Sequence, residues 1–253
     1  MFSKHLITAL LASLAISPAA TAGYYANGSW STFHDDGIWE VFADAVEDYG
    51  GTGDLGLCID GVEDWVFWMG WAGYGNYRYA TDANAWAHDY EESRWDDYYN
   101  DGADFAYFSG HGNSGGFSLH GAGGDDWVGY WEVRWGERDL EVIAIDGCRS
   151  LDANGRTNWG DANKNDGVHA IHGFHSDAAD VDTTAQMYGY YLYRGYNTRT
   201  AWMLATQAGH SSSATGASIW YYNASCNGLY DTASYSTCDP TSGSTDASST
   251  WSL

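Results

Sequence analysis

Two short segments carry the residue types needed for covalent acyl transfer. The first reads Phe105-Ala106-Tyr107-Phe108-Ser109-Gly110-His111-Gly112, the second Val142-Ile143-Ala144-Ile145-Asp146-Gly147-Cys148-Arg149-Ser150. Each starts as an apolar run and ends with a reactive group among glycines: an imidazole in one, a thiol in the other. A thiol attacks as its thiolate, and a nearby imidazole can take that proton and later protonate a leaving group. Cys148 and His111 are therefore the minimum equipment for a cysteine nucleophile and its acid–base partner. Gly112 and Gly147 leave room for a substrate backbone, and free N–H groups there could hold an oxyanion. Asp146 could sit near a basic side chain of a substrate.

For the pair to meet, both segments must be neighbouring strands with their carboxyl ends at one sheet edge, where open parallel sheets gather functional groups. Phe105–Phe108, Val142–Ile145 and Val168–Ile171 are short continuous apolar runs bounded by Gly and Asp. Such runs fit strands buried on both faces. Thr183–Arg194 reads as a helix stopped by Gly195, and Thr200–Gln207 as a second, with Thr198 as its cap. Ile219–Tyr222 suits a last strand. Earlier in the chain, Trp39, Phe42, Val46 and Tyr49 recur at helical spacing, so a helix capped by Asp36 is expected over Ile38–Tyr49. Asp54–Met69 mixes short apolar runs with acidic breaks and is expected to include a strand. Tyr74–Asn100 reads as loop and short helix, and from Asp231 onward the Ser/Thr-rich chain reads as a loose tail. Alternating buried strands and helices indicate an α/β sandwich.

The two reactive segments, in this order and at this separation, resemble the caspase-like cysteine peptidases, the clan of legumain, gingipain and separase. Gly167-Val168-His169-Ala170-Ile171-His172-Gly173 is similar to the Gly-rich strand after the nucleophile in gingipain-type domains. Arg194-Gly195-Tyr196-Asn197-Thr198-Arg199-Thr200-Ala201-Trp202 resembles their helix–Gly–helix end. The resemblance covers about Asp104 to Gln207. It implies a three-layer α/β/α sandwich with a mainly parallel sheet over residues 23–230, and the backbone N–H groups of Gly112 and Cys148 as oxyanion donors. Gly147 stands where those peptidases often carry Ala. Residues 24–100 look more like an uncharacterised group of secreted bacterial proteins that share Gly-His-Gly and a later Cys, a similarity that implies no activity.

Other clusters are weaker. His169, His172 and His175 lie near Asp177, Asp180 and Asp182, but on a strand His169 and His172 point to opposite faces and cannot readily share an ion. They are better read as satisfied histidines or as a lining of the substrate pocket. Asp161, Asn163 and Asn165 place oxygens at alternate positions, as calcium prefers. However, Gly167 comes one place late for an EF-hand and the acidic twelfth ligand is missing, so a polar turn is the plainer reading. The catalytic reading requires no cofactor.

The chain has a formal net charge of −24, from 34 acidic against 10 basic residues. That charge repels nucleic acid and anionic membranes and leaves a peptide or protein as the expected partner. Lys4, the apolar stretch Leu6–Ile16 and Ala20-Thr21-Ala22 form a secretory-signal pattern over residues 1–22, so an exported mature chain is expected. Of four cysteines, Cys226 and Cys238 are close in sequence and are expected to pair outside the cytoplasm, closing a loop worth roughly 2–4 kcal/mol at best. Cys58 and Cys148 either form a second bridge or leave Cys148 as a working thiol. A secreted cysteine peptidase is the first expectation; an inactive secreted binding protein on the same fold, with its aromatic loops as contact surface, is the alternative.

Overall fold

The computed structural model describes residues 23–30, 36–51, 53–93, 95–120, 126–210, 214–234, 239–240 and 244–253. Residues 1–22, which carry the expected export signal, and Cys238 lie outside the described residues.

The chain builds a mixed α/β structure around one large sheet. In chain order its elements are β1 (Tyr24–Asn27), β2 (Glu40–Ala45), α1 (Cys58–Ala72), β3 (Asn76–Thr81), β4 (Phe105–Ser109), β5 (Gly112–Asn113), β6 (Gly116–Ser118) and β7 (Trp127–Gly129). Then come β8 (Val142–Asp146), α2 (Ala153–Ala162), β9 (Ala170–Phe174), α3 (Asp182–Tyr193), α4 (Thr198–Gly209), β10 (Thr215–Tyr222) and β11 (Thr245–Ser252). The main sheet has the order β1-β3-β2-β4-β8-β9-β10-β11. Its five middle strands, β3-β2-β4-β8-β9, are parallel, and β1, β10 and β11 are antiparallel additions. From β2 the chain first grows the sheet outward through β3, then returns to β4 and grows the other way. The switch point therefore falls between β2 and β4, where ligands bind in open parallel sheets.

Every residue of β2, β4, β8 and β9 is buried. Alternate residues feed two apolar clusters. Val41, Phe105, Tyr107, Val142 and Ala144 join Val62, Trp65, Tyr188 and Trp202 from α1, α3 and α4. Phe42, Ala106, Phe108, Ile143 and Ile145 join Tyr90, Phe117, Trp135 and Trp159 on the other face. Sandwiched strands of this kind read as continuous apolar runs because neither face meets water.

The strands expected at 105, 142 and 168, the two late helices and the strand at 219 are all present within a few residues. The cap of α4 is Asn197, whose side chain accepts the Thr200 N–H at 2.8 Å, and not Thr198. Four further expectations fail, the first over Tyr74–Asn100, read as loop and short helix, which holds the parallel strand β3 at Asn76–Thr81. Glu40–Ala45 is a central strand, not a helix: burial on both faces puts apolar residues at the successive positions Val41, Phe42 and Ala43 and hides the alternation that would mark a strand. Cys58–Ala72 is helical, with Ile59, Val62, Trp65, Val66 and Met69 buried along one stripe. The tail is not loose throughout: β11 pairs with β10 over eight positions from Thr215↔Ser252 to Tyr222↔Thr245. The ladder is supported by side chains: Trp251 packs against the apolar cluster and its indole N–H donates to Thr206 Oγ1 at 3.0 Å, while Ser249 accepts from Arg199 at 2.9 Å.

Candidate active site

Strands β4 and β8 end on the shared pair Ser109↔Asp146. The next residues of both strands stay in contact, with Gly110 N–H donating to the Asp146 carbonyl at 3.1 Å. A Cβ on Gly147 would lie 3.1 Å from the Gly110 oxygen and 3.2 Å from the Gly112 nitrogen. A Cβ on Gly112 would lie 3.3 Å from the Gly147 backbone and the Cys148 oxygen. The two glycines thus let the His111 and Cys148 loops touch, backbone against backbone. Arg149 follows with φ of 53°, a left-handed turn that is uncommon for a side-chain-bearing residue. It is tied by an Arg149–Asp177 ion pair at 2.7 Å. Asp152 then caps α2 by accepting the Asn154 and Gly155 N–H groups.

Gly112 opens a hairpin in which it opposes Phe117. Because Ser118 N–H donates to the His111 carbonyl at 2.9 Å, residues 111 and 118 form the bonded rung. Gly112 is then a non-bonded position, and its N–H turns away from β6, to the side where Gly147 lies.

The imidazole of His111 is held by the loop after β2, across the switch point. Its Nε2 lies 2.6 Å from the Gly53 carbonyl. A carbonyl only accepts, so Nε2 carries the proton and Nδ1 of the neutral ring carries the lone pair. The ring packs on Tyr49 at 4.5 Å between centroids. The Tyr49 hydroxyl accepts the His111 N–H at 2.9 Å and donates to the Ser118 carbonyl at 3.0 Å. The Cys148 Sγ is half-buried and lies 3.4 Å from both the Ala178 nitrogen and its carbonyl oxygen. The Ala178 N–H donates to the sulfur, and the sulfur faces the Ala178 carbonyl as a donor. Cys58 and Cys148 are both free thiols. Cys58 is buried at the start of α1, 3.6 Å from Asp180 Oδ1, and burial pushes its thiol well up.

Asp146 is buried behind the edge and accepts the Tyr107 hydroxyl at 2.8 Å. Burial raises its carboxyl to about 7, partly offset by that hydrogen bond. The other expected pocket residues are not brought here. His172 is fully buried, stacked on Trp202 and bonded to Ser218 Oγ at 2.9 Å; burial lowers its pKa to about 3. His169 precedes β9, at the amino ends of the parallel strands, with Nδ1 2.5 Å from Asp231 and Nε2 3.2 Å from Asp239. Two carboxylates on two ring nitrogens require two protons. Burial alone would lower this pKa, but the bonds to Asp231 and Asp239 outweigh it and raise it.

The oxygens expected to serve calcium are engaged by protein donors. Asn163 Oδ1 accepts the Trp135 N–H at 2.9 Å, and Asn165 Oδ1 accepts from the Ser244 N–H and hydroxyl at 2.8 and 3.0 Å. Asp161 is exposed at the end of α2. Among the described residues, the group whose oxygens approach closely enough to share an ion is Asp36, Glu40 and Asp139, within 4.8 Å of one another. It lies at the amino ends of the strands, away from Cys148. Cys226 is buried; its expected partner Cys238 is outside the described residues.

Sequence reasoning missed Tyr49, Gly53 and Ala178. Tyr49 was hidden by the helix expected there. Gly53 and Ala178 act through backbone atoms and leave no residue-type signal.

An α/β protein with an imidazole and a thiol on adjacent loops at the carboxyl edge of a mainly parallel sheet is the class that fold and site define. The family described as "Domain of unknown function (DUF6345)" matches residues 65–251, and the chain belongs to it. His111 and Cys148 fall inside the matched span; Tyr49 and Gly53 precede it. No curated protein matches the chain at a significant level.

Proposed function

We propose that this protein is an exported cysteine peptidase, or a related acyl-transfer enzyme, on a three-layer α/β/α caspase-like scaffold. The observation that carries this reading is the shared Ser109↔Asp146 rung, with the Gly112–Gly147 backbone contact directly beyond it. It puts a histidine and a cysteine two residues past the same rung at the edge where such sheets act. Apolar clusters on both faces of the sheet support the three-layer description.

In this reading His111 Nδ1 takes the Cys148 proton while Gly53 holds Nε2–H. The thiolate attacks the substrate carbonyl carbon, and the electron pair moves to the oxygen, which the N–H groups of Gly112 and Cys148 receive. The imidazolium returns its proton to the leaving amine as the C–N bond breaks. Water, deprotonated by the same imidazole, then cleaves the thioester and restores the thiol. The electronegative surface favours cationic substrates. Export would place Cys226 and Cys238 where they can pair.

Iodoacetamide tests the site without a known substrate. Cys148 should be alkylated in the native protein at mildly acidic pH, and His111→Ala should slow the reaction. A Cys148 that stays inert until the protein unfolds would favour the alternative, an inactive binding protein, in which the contact of Sγ with the Ala178 backbone is purely structural.

A further inference from the structure

The helices that cover one face of the sheet carry a surface that the cysteine chemistry does not use. A helix in that position turns its apolar stripe inward and its polar residues to solvent. Helices α1 and α3 do so in their first halves, where Asp60, Glu63, Asp64 and Asp182 lie and Gln186 donates to Asp64 at 2.7 Å. The two helices run side by side and parallel, with Gly61 against Ala185 and Gly189 against Trp65 and Trp68, so their last turns open onto one patch. That patch is aromatic. Phe67 and Trp71 of α1 are 49% and 62% exposed, and Tyr193 and Tyr196 at the end of α3 are 41% and 43% exposed. Half-buried Trp68 links the helices, its ring lying 5.4 Å from Phe67, 5.1 Å from Tyr190 and 5.7 Å from Tyr193. Arg194 donates to the Tyr190 hydroxyl at 2.8 Å and puts a cation beside the rings.

The sequence withholds negative charge from the stretches that build this patch. The chain has 34 acidic residues, yet none from Trp65 to Thr81 and none from Thr183 to Tyr230. A cationic partner is drawn to an acidic surface and has no need of an acid-free face. Such a face matters to a partner that is itself acidic. Trp, Tyr, Phe and Arg in the absence of Asp and Glu is also the composition of a protein–protein interface core. The shape agrees. The pairs Phe67–Trp68, Phe67–Trp71, Trp68–Tyr190 and Trp71–Tyr193 meet at interplanar angles of 76°, 65°, 74° and 66°. Rings set edge to face make ridges and hollows that interdigitating side chains can fill, not the flat platform on which a sugar chain stacks.

We propose that this face joins two copies of the chain in a two-fold dimer, with Trp71 of each copy seated among the rings of the other. A second copy is an acidic partner, and a two-fold axis brings the same acid-free patch to both sides of the contact. The area fits. The open parts of Phe67, Trp71, Tyr193 and Tyr196 amount to about two whole aromatic side chains, or about 300–500 Å². That is the apolar centre of an interface of ordinary size, about 800 Å² per partner, whose polar rim Arg194 and the acid-bearing first halves of the helices supply. This inference is independent of the chemistry proposed for Cys148.

The test is sedimentation velocity of the purified full chain over a wide range of concentration, where a monomer–dimer equilibrium is expected. Trp71→Ala should raise the dissociation constant at least about 30-fold, the effect of removing a central aromatic anchor. Trp71→Glu should leave only monomer, and Phe67→Glu, one turn earlier, should act in the same direction. All three should unfold thermally like the dilute parent, because the rings they remove lie outside the core. Trp131→Ala removes a ring that is 61% exposed beside Tyr130 on the opposite face of the sheet, and should dimerise as the parent does. Added salt should tighten the dimer by screening two chains of net charge −24 from each other. A chain that is monomeric at every concentration would overturn the proposal. So would a dimer indifferent to Trp71→Glu, a dimer that salt dissolves, or a monomer that Trp71 ties instead to a polysaccharide or to phosphatidylcholine vesicles.

Discussion

The two ends of the parallel sheet use histidine in opposite ways. At the carboxyl end, His111 rests on a neutral carbonyl and an aromatic ring and meets the Cys148 loop across two glycines. At the amino end, His169 is clamped between Asp231 and Asp239, fully buried, with both nitrogens occupied. A carbonyl orients an imidazole without fixing its charge, leaving one nitrogen able to exchange a proton. Two carboxylates fix both orientation and charge, and what remains is a pin joining the chain after β10 to the start of β9. The amino end also gathers Glu40, Asp104 and Glu141; burial raises Asp104 to about 8 and Glu141 well above its usual range. The amino end holds its protons among buried groups, whereas the chemistry proposed for the carboxyl end needs one that moves.

The sharpest way to break this contrast is to remove each histidine. Cys148→Ala should abolish peptide cleavage, and His111→Ala should lower kcat by roughly 10³-fold or more, with little loss of stability. His169→Asn should leave the alkylation rate of Cys148 in the folded protein unchanged. A screen of basic peptides followed by stopped alkylation measures both, and equal effects of the two histidines on alkylation would erase the distinction.

His169→Ala should destabilise the fold by about 3–5 kcal/mol, because a buried pair loses one of its members. Urea unfolding followed by tryptophan fluorescence reads this directly. A change under about 1 kcal/mol would mean that the clamp is not a buried charge pair.

The pH dependence of stability should run opposite to that of an ordinary acid-labile protein. Folded-state values are raised for His169, Asp44, Asp96, Asp101, Asp104, Glu141 and Asp146. A raised value means that the native state binds more protons than the unfolded chain between the two pKa values. For the carboxyl groups this contribution is complete below the unfolded value near 4 and is lost as pH rises toward the folded values, about 7 for Asp146 and about 8 for Asp104. For His169 it is complete below about 6.5 and lost above that. The urea midpoint should therefore fall steadily from about pH 5 to pH 8. A midpoint that rises over this range would contradict the protonated carboxyl groups.

The smallest expected effect is that of Tyr49→Phe. It removes a hydroxyl that accepts from His111 N–H and donates to the Ser118 carbonyl, and should cost about 1–2 kcal/mol. It should also slow alkylation of Cys148 severalfold by loosening the ring of His111, whereas Tyr221→Phe, far from the edge, should alter stability alone.

What the sequence revealed follows the same divide. The strands preceding His111 and Cys148 were legible because short continuous apolar runs bounded by Gly fit strands buried on both faces. Strand β2 was not, since Trp39, Phe42, Val46 and Tyr49 match a helical period by coincidence while every residue from Glu40 to Ala45 is buried. Helix α1 was misread although Ile59, Val62, Trp65, Val66 and Met69 keep helical spacing, because acidic residues on its other face broke the run. Strand β11 is Ser/Thr-rich and shows no apolar run, although Trp251 within it packs against the core cluster. The clamp on His169 joins residues more than sixty positions apart, a distance over which residue types alone specify nothing.

The Gly53 carbonyl that holds His111 has a consequence for how this site changes over generations. No codon specifies that oxygen, so point substitution cannot delete it, and alanine scanning of the loop would pass over it. The orientation of the imidazole is instead encoded in the length and path of the chain between β2 and α1. An insertion or deletion of one residue there, leaving His111 and Cys148 intact, would shift that carbonyl and release the imidazole.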